Sequence, residues 1–286
     1  MQGNMEKKAP SSLSDIHSIT QPRNYSLIEK YKDDRHFVTA LARGLEVLSC
    51  FRSGNGVLGN QDIAKRCNLS NSTVSRLTST LVKMGYLMHD PATGKYRLGM
   101  ATLALGVGMF SKLDVRQLAR PYMQEIADYC QGVVSLGVRD RLSMLCIESC
   151  RSSAALTLAL DVGSRLPITT SSMGRAYLAE AGKAEREEVF ERVNELDEHS
   201  SEVIMFGLEK ALKDYQELGC TCSFGEWKQG VNSIAIAINL GGIFPMMAIN
   251  CGGPSSSLSA DFLLNDVRPR LLEMKQRLQK TLGFAE

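Results

Sequence analysis

The apolar positions change period along the chain, and those changes divide it. From His36 to Phe51, Val38, Leu41, Leu45, Val47, Leu48 and Phe51 recur at helical spacing along one side, until the Ser-Gly-Asn-Gly run at 53–56 stops the helix. A second helix is expected from Asn60, which can act as its cap, to Cys67, and a third from just after Ser70 to near Gly85. "YLMHDPATGKYRLG" then reads as two short strands around an Asp-Pro-Ala-Thr-Gly turn. Gly99 to about Lys112 predicts a helix leaving this small domain. Asp114 to Cys130 predicts another, with Leu118, Tyr122, Ile126 and Tyr129 in phase and Pro121 marking a fresh turn.

Beyond Cys130 the period shortens to that of strands. "VVSLGV" (133–138), "LSMLCIES" (142–149) and "ALTLALDVG" (155–163) read as strands; Met173 to Ala181, Ala184 to Val193 and Phe206 to Leu218 read as helices. "CTCSF", "SIAIAINL" and "PMMAIN" return to strand, and Ser259 to Leu282 closes as a helix. Runs of strands, helices and strands again predict an α+β domain around one mostly antiparallel sheet. At 286 residues the chain is long for one core. The expected division is a mobile tail (1–35), a small domain of three helices and a hairpin (36–98), a linker helix (99–113) and a larger α+β domain (114–286).

Charge sharpens this division. Net charge is only +2, but residues 36–98 carry eight Lys/Arg against three Asp/Glu, whereas 99–286 carry nineteen against twenty-three. A basic module followed by a mildly acidic body suits one part that meets a polyanion and one that does not. The eight cysteines follow neither CxxC spacing nor the four histidines, so no metal is expected, and free thiols in a reduced, cytoplasmic compartment are. The longest apolar run, Leu98 to Phe110, is too short for a membrane span, and no apolar leader with a cleavage site stands at the start.

The most informative stretch is "NQDIAKRCNLSNSTVSRLTSTLVKMGY" (60–86). Two helices that cross closely need a small residue in the first and a turn residue tolerant of positive φ, and Ala64 and Asn68 supply them. Ile63, Leu69, Val74 and Leu77 then fall in a shared core, with Ser70 as the cap of the second helix. Asn71, Ser72, Thr73, Ser75, Arg76 and Ser79 remain outward, with side chains suited to base edges and phosphates in a major groove. Arg76 is the expected base reader, and Lys95 and Arg97 on the hairpin would grip the backbone as a wing. The alternative is that these hydroxyls only cap a helix and face water. That reading explains neither the Ala/Asn spacing nor the local charge.

Several stretches in order, "ALARGLEVL", "NLSNSTVSRLTSTLVKMGYL", "GKYRLG", "LARPYMQEIA", "VGSRLPITTSSMGRAYLA", "QGVNSIAIAI" and "AINCGGP", resemble the isocitrate lyase regulator (IclR) family of bacterial transcription factors. The resemblance spans about 36–284. It implies a winged helix-turn-helix joined by a linker helix to a GAF-like effector-binding domain, working as a dimer or tetramer (a homodimer or dimer of dimers) on palindromic double-stranded operator DNA. It implies a small organic acid or aromatic catabolite as effector, and no cofactor. The chain departs from the family pattern at Arg175, where Lys is usual, and at Ser223 and Phe224, where acidic residues are usual. It departs again at Ser233, where some members carry Cys, and at Asn250 and Gly252, often Ser.

On this reading Ser171, Ser172, Met173 and Gly174 offer hydroxyls and helix-terminal amides to a carboxylate, while Ser223, Ser233, Asn250 and Cys251 orient the rest of a small ligand. Phe224 and Trp227 either stack on an aromatic acid or pack as a lid, and Ser171 and Ser172 would otherwise serve only as helix caps. Cys220, Cys222 and Cys251 read as small buried hydrophobes, the alternative being a redox or metal sensor. The acidic run around 191–202 reads as a solvated face and loop. An enzyme would need a nucleophile and base. The second domain offers one histidine, His199, and no GxSxG, P-loop or paired CxxC motif.

Overall fold

The computed structural model describes residues 28, 31, 33–52, 56–110, 115–153, 160–196, 198–241 and 244–282. They divide into two compact units, one up to Leu113 and one from Asp114 onward. Nearly all of the expected tail lies outside the described residues.

The first unit opens with α1 (Thr39–Ser49) and a single 3-10 turn, Cys50–Arg52. Then come α2 (Asn60–Cys67), α3 (Asn71–Lys83), the antiparallel hairpin β1 (Leu87–Asp90) and β2 (Lys95–Leu98), and α4 (Met100–Phe110). Val47, Phe51, Leu58, Ile63, Cys67, Val74 and Leu87 form its core, with Leu69, Leu77 and Tyr96 packed against it. The cap of α2 is Gly59 rather than Asn60, because the Asp62 carboxylate reaches back to accept the Gly59 N–H at 3.0 Å. Asn68 ends the helix in the left-handed region (φ 52°, ψ 45°), and its N–H returns to the Ala64 carbonyl. Val38, Leu41 and Leu45 are in phase with one another but 62, 62 and 56% exposed, whereas Val47 and Leu48 on α1 and Phe51 in the 3-10 turn pack into the core of this unit.

In the second unit α5 (Val115–Cys130) runs unbroken through Pro121. It precedes β3 (Val133–Asp140), β4 (Ser143–Arg151), β5 (Arg165–Pro167), α6 (Ser172–Glu180), α7 (Lys183–Leu196) and α8 (Glu198–Leu218). His199 and the acidic run thus sit within or between two helices rather than in an open loop. β6 (Thr221–Phe224), β7 (Val231–Ile238) and β8 (Met247–Pro254) follow, and the chain closes with α9 (Ala260–Phe262), a π-helical segment Leu263–Val267 and α10 (Arg268–Thr281). The π segment lies just before Pro269, which has no N–H to return to an upstream carbonyl. Of the strand expected over 155–163, residues 154–159 lie outside the described set; 160–163 form a turn in which Ser164 N–H bonds the Asp161 carbonyl at 2.9 Å.

The strands form one antiparallel sheet in the order β5-β4-β3-β8-β7-β6. β7 is buried along its whole length because helices cover both faces of the sheet. Its pleat sends Ile234, Ile236 and Ile238 to the side of α5 and α10, and Ser233, Ala235 and Ala237 to the side of α6. The small residues on the second side let α6 come very close. A Cβ at Gly174 would stand 2.2 Å from the Ile168 carbonyl oxygen, and one at Gly137 would stand 2.4 Å from the Met173 sulfur. Because the Ile168 contact is backbone on backbone, Gly174→Ala is expected to destabilise this unit by about 1–3 kcal/mol. A chemical-denaturation midpoint, read by far-UV circular dichroism, should fall; an unchanged midpoint would refute the close contact.

Candidate nucleic-acid interface and ligand site

The N-terminus of α3 is organised by Ser70. Its Oγ accepts the Thr73 N–H at 3.3 Å and lies 3.0 Å from Ser72 Oγ and 2.9 Å from Thr73 Oγ1. The first-turn hydroxyls are therefore held in place by the cap while remaining at the helix end. Asn71, Ser72, Ser75, Arg76 and Ser79 are exposed, Thr73 half-buried. Thr78 points inward instead, fully buried, and its hydroxyl bonds back to the Val74 carbonyl at 3.0 Å. The Ser/Thr-rich helix thus has an apolar side formed by Val74, Leu77 and Leu81 and an uncrowded polar side.

On the hairpin, Tyr96 turns inward and is paired with Leu58 through two backbone hydrogen bonds of 3.0 and 2.8 Å. Alternation along β2 then sends Lys95 and Arg97 outward. The turn between the strands is closed by Asp90, which accepts from Ala92 N–H at 3.0 Å and Thr93 hydroxyl at 2.7 Å. These bonds hold the Asp90 carboxyl below its ordinary pKa, the Thr93 hydroxyl contributing most.

In the second unit the structure brings most of the expected ligand residues to the α6 side of the sheet. Ser172 donates to Ser233 Oγ at 2.8 Å, and Thr221, neighbouring on β6, donates to the Ser172 carbonyl at 2.8 Å. Ser223, opposite Ser233 in register, donates to the Thr170 carbonyl at 3.0 Å and accepts the Trp227 N–H at 3.2 Å. Asn250 stands opposite Ser135 on β3 and Ala235 on β7. It is 3% exposed, and its Oδ1 has no hydrogen-bond partner among the described residues. A buried amide oxygen left in this state costs about 1–3 kcal/mol.

Four expected residues have other roles. Ser171 is the cap of α6: its Oγ accepts the Gly174 N–H at 3.1 Å and donates to the Pro167 carbonyl at 2.6 Å. The Gly174 amide is therefore already used, and Gly174 makes room for the Ile168 backbone, while the Met173 side chain packs over Gly137 of β3. Cys251 does not belong to this cluster. It follows Asn250 on β8, so the pleat turns it to the opposite face, where its sulfur lies 3.3 Å from that of Cys130 on α5.

The sequence reading passed over two features. Ser135 and Ser149, with hydroxyls 3.4 Å apart, extend the polar patch into β3 and β4; Ser135 within an apolar run was the available signal. Arg175, named only as a departure from Lys, is 4% exposed and acts as a clasp. Its guanidinium donates to the Thr169 and Cys222 carbonyls, each at 3.0 Å, and pairs with the Glu226 carboxylate at 2.5 Å. It thus ties the approach to α6 to the loop after β6, where Trp227 packs on the core. That places Trp227 as packing rather than as an open stacking surface. Among the described residues no group of three or more His, Cys, Asp or Glu could hold a metal, and no helix is long and apolar enough to cross a membrane.

Comparison with known proteins agrees with this architecture. Residues 40–91 match the IclR helix-turn-helix domain, and residues 107–278 the bacterial transcriptional regulator IclR C-terminal domain. The HTH-type transcriptional regulator TsaQ1/TsaQ2 of Comamonas testosteroni is 34% identical over 250 residues, covering 87% of this chain and 90% of the relative. An IclR family transcriptional regulator from Brucella abortus, solved by crystallography, superposes with a TM-score of 0.82 at 41% identity, covering 91% of this chain and 99% of that one. An IclR homologue from Microbacterium hydrocarbonoxydans, complexed with 4-hydroxybenzoate, shares the fold at a TM-score of 0.67 and 24% identity, covering 86% of this chain and all of that one (100%). With both domain types matched in order and at this coverage, the chain belongs to the IclR family of HTH-type transcriptional regulators.

Proposed function

We propose that this regulator binds a palindromic operator as a homodimer or dimer of dimers and changes its grip when a small organic or aromatic acid enters the α6 side of its second unit. The observation that carries the DNA reading is the outward face of α3, where Asn71, Ser72, Ser75, Arg76 and Ser79 stand together on the helix that Ser70 anchors. Arg76 reads a base edge, the hydroxyl and amide side chains with Thr73 take phosphates and neighbouring edges, and Lys95 and Arg97 hold backbone from the wing.

Two apolar stripes support self-association. Val38, Leu41 and Leu45 on α1 are exposed, as are Met100, Leu103, Leu105 and Val107 on α4, a helix without a charged residue. Leaving so much aliphatic surface in water on two helices of one small unit is costly, and a second copy would cover it symmetrically.

The effector reading rests on polar groups set into an otherwise apolar wall. Asn250 Oδ1 awaits a donor, while Ser135, Ser149, Ser172 and Ser233 supply hydroxyls that can give or accept. A ligand with a hydroxyl or a protonated group would satisfy the Asn250 oxygen, and its carboxylate would take the first amides of α6, at Ser172 and Met173. The Microbacterium relative is complexed with 4-hydroxybenzoate, which carries both groups. The alternative of an enzyme has no nucleophile and base pair in support among the described residues.

Arg76→Ala should weaken specific operator binding by about 1–3 kcal/mol in a fluorescence-anisotropy titration, with the thermal unfolding midpoint unchanged. Lys95→Ala should instead weaken binding to all sequences alike and lower the slope of log affinity against log salt by about one phosphate contact. If Arg76→Ala binds its operator as wild type does, α3 is not the reading helix. Leu41→Glu combined with Leu103→Glu should shift the mass measured by sedimentation equilibrium toward the monomer; an unaltered mass would place the interface elsewhere. Asn250→Leu fills the same space without the oxygen, so it should abolish the response to an acid that releases wild type from its operator while sparing ligand-free DNA binding. Retention of the response would remove Asn250 from the pocket.

A further inference from the structure

All eight cysteines are free thiols, but they are not scattered at random. Cys50 and Cys67 lie in the DNA-binding unit with their sulfurs 3.0 Å apart, although seventeen positions separate them in sequence. Cys50 begins the 3-10 turn that ends α1, and Cys67 is the last residue of α2, immediately before the left-handed Asn68. Cys67 is buried, whereas Cys50 is partly open to solvent. Two further thiol pairs are close, Cys130 with Cys251 at 3.3 Å between α5 and the sheet and Cys220 hydrogen-bonded to Cys222, but all four of these cysteines are buried.

We propose that Cys50 and Cys67 form a redox-modifiable dithiol within the helix-turn-helix unit, converted by a hydroperoxide to an intramolecular disulfide and restored by a thiol reductant. This inference is independent of the effector reading. The gap to be closed is about 1 Å, since a disulfide bond is about 2.05 Å long. Both residues sit at helix ends, Cys50 opening the 3-10 turn and Cys67 closing α2.

The surroundings also favour Cys50 as the attacking sulfur. The Cys67 thiol, by hydrogen bonding to it, lowers the Cys50 pKa most; burial opposes this and the nearby Arg66 cation adds to the lowering, while Cys67 is pushed upward by the same bond. Arg66 is held in place by donating to the Cys50 carbonyl at 2.8 Å. Cys50 sulfur attacks the near oxygen of the hydroperoxide; the O–O bond breaks, an alcohol or water departs with a proton, and a sulfenic acid remains on Cys50. Cys67 sulfur then attacks the Cys50 sulfur, the S–O bond breaks, and the hydroxyl leaves as water with the Cys67 proton. The two thiols lose two electrons in all and the hydroperoxide gains them.

The test treats the reduced, full-length protein with hydrogen peroxide near neutral pH, quenches with an alkylating agent over time, and maps the products by mass spectrometry. The expected first product has lost two hydrogens, contains a Cys50–Cys67 cross-linked peptide, and regains both thiols with dithiothreitol. In Cys67→Ser, Cys50 should instead accumulate as a sulfenic acid trapped by a cyclic dione. If the first cross-link joins other cysteines, if Cys50 proceeds to sulfinic acid without a cross-link, or if it stays reduced while a free-cysteine control oxidises, the proposal is overturned. The wild-type map decides the matter whether or not the variant folds.

Discussion

The second unit depends on how closely α6 lies against its sheet. A helix normally rests on a sheet at a distance set by the bulk of the side chains between them. Here that bulk is removed at Ser233, Ala235 and Ala237 on the β7 face and at Gly137 on β3, while Gly174 on the helix lets the turn at Ile168 fold tightly against it. The close approach makes a direct Ser172–Ser233 bond geometrically possible and brings Thr221 within reach of the Ser172 carbonyl. Larger residues at those places would build a conventional apolar core, with no short hydroxyl able to span the gap. On the proposed reading, the same smallness that fixes the helix supplies the polar lining of the ligand site.

The first unit solves a different problem with equally local means. α3 must carry a polar face outward while its other side packs against two helices. The structure separates these demands by helical phase, with Val74, Leu77 and Leu81 inward and Ser72, Ser75, Arg76 and Ser79 outward. Thr78 lies in the inward phase and satisfies its hydroxyl on the preceding turn, so a polar atom is buried without a tertiary partner. Asn68 supplies the backbone reversal and Ser70 fixes the start. The orientation of the outward face is therefore determined within about a dozen residues.

That locality explains what was legible in the sequence. Ala64, Asn68, Ser70 and the period of Val74 and Leu77 carry their meaning within one or two helical turns, so the helix-turn-helix and its outward residues follow from short-range rules. The residues proposed for the ligand site come together only where α6 meets the folded sheet, and in the sheet a phase error of one residue reverses the face: Asn250 faces α6 and Cys251 faces Cys130. Gly174 reads as an amide donor from its place at a helix start, whereas its contact is with the backbone of Ile168, six residues earlier, across a tight turn that no spacing rule displays. Val38, Leu41 and Leu45 keep helical phase yet stay exposed, because amphipathic spacing reports that residues line one side of a helix, not what covers it.

Arg175 joins the close-packed helix to the response proposed for it. A ligand can shift a conformational equilibrium only by as much as its affinity differs between the two states. In the second unit, the segment proposed to register such a difference is the loop after β6, which is held by the Arg175–Glu226 pair, by a longer Lys210–Glu226 contact of 3.7 Å and by the Trp227 N–H on Ser223. Ser223 stands opposite Ser233 in register, so on the proposed reading a ligand that takes new hydrogen bonds there would alter the terms on which the loop is held. A buried guanidinium that already donates to two carbonyls cannot leave its site cheaply. The movable partner is consequently Glu226, the more exposed member of the pair, together with the Trp227 that follows it.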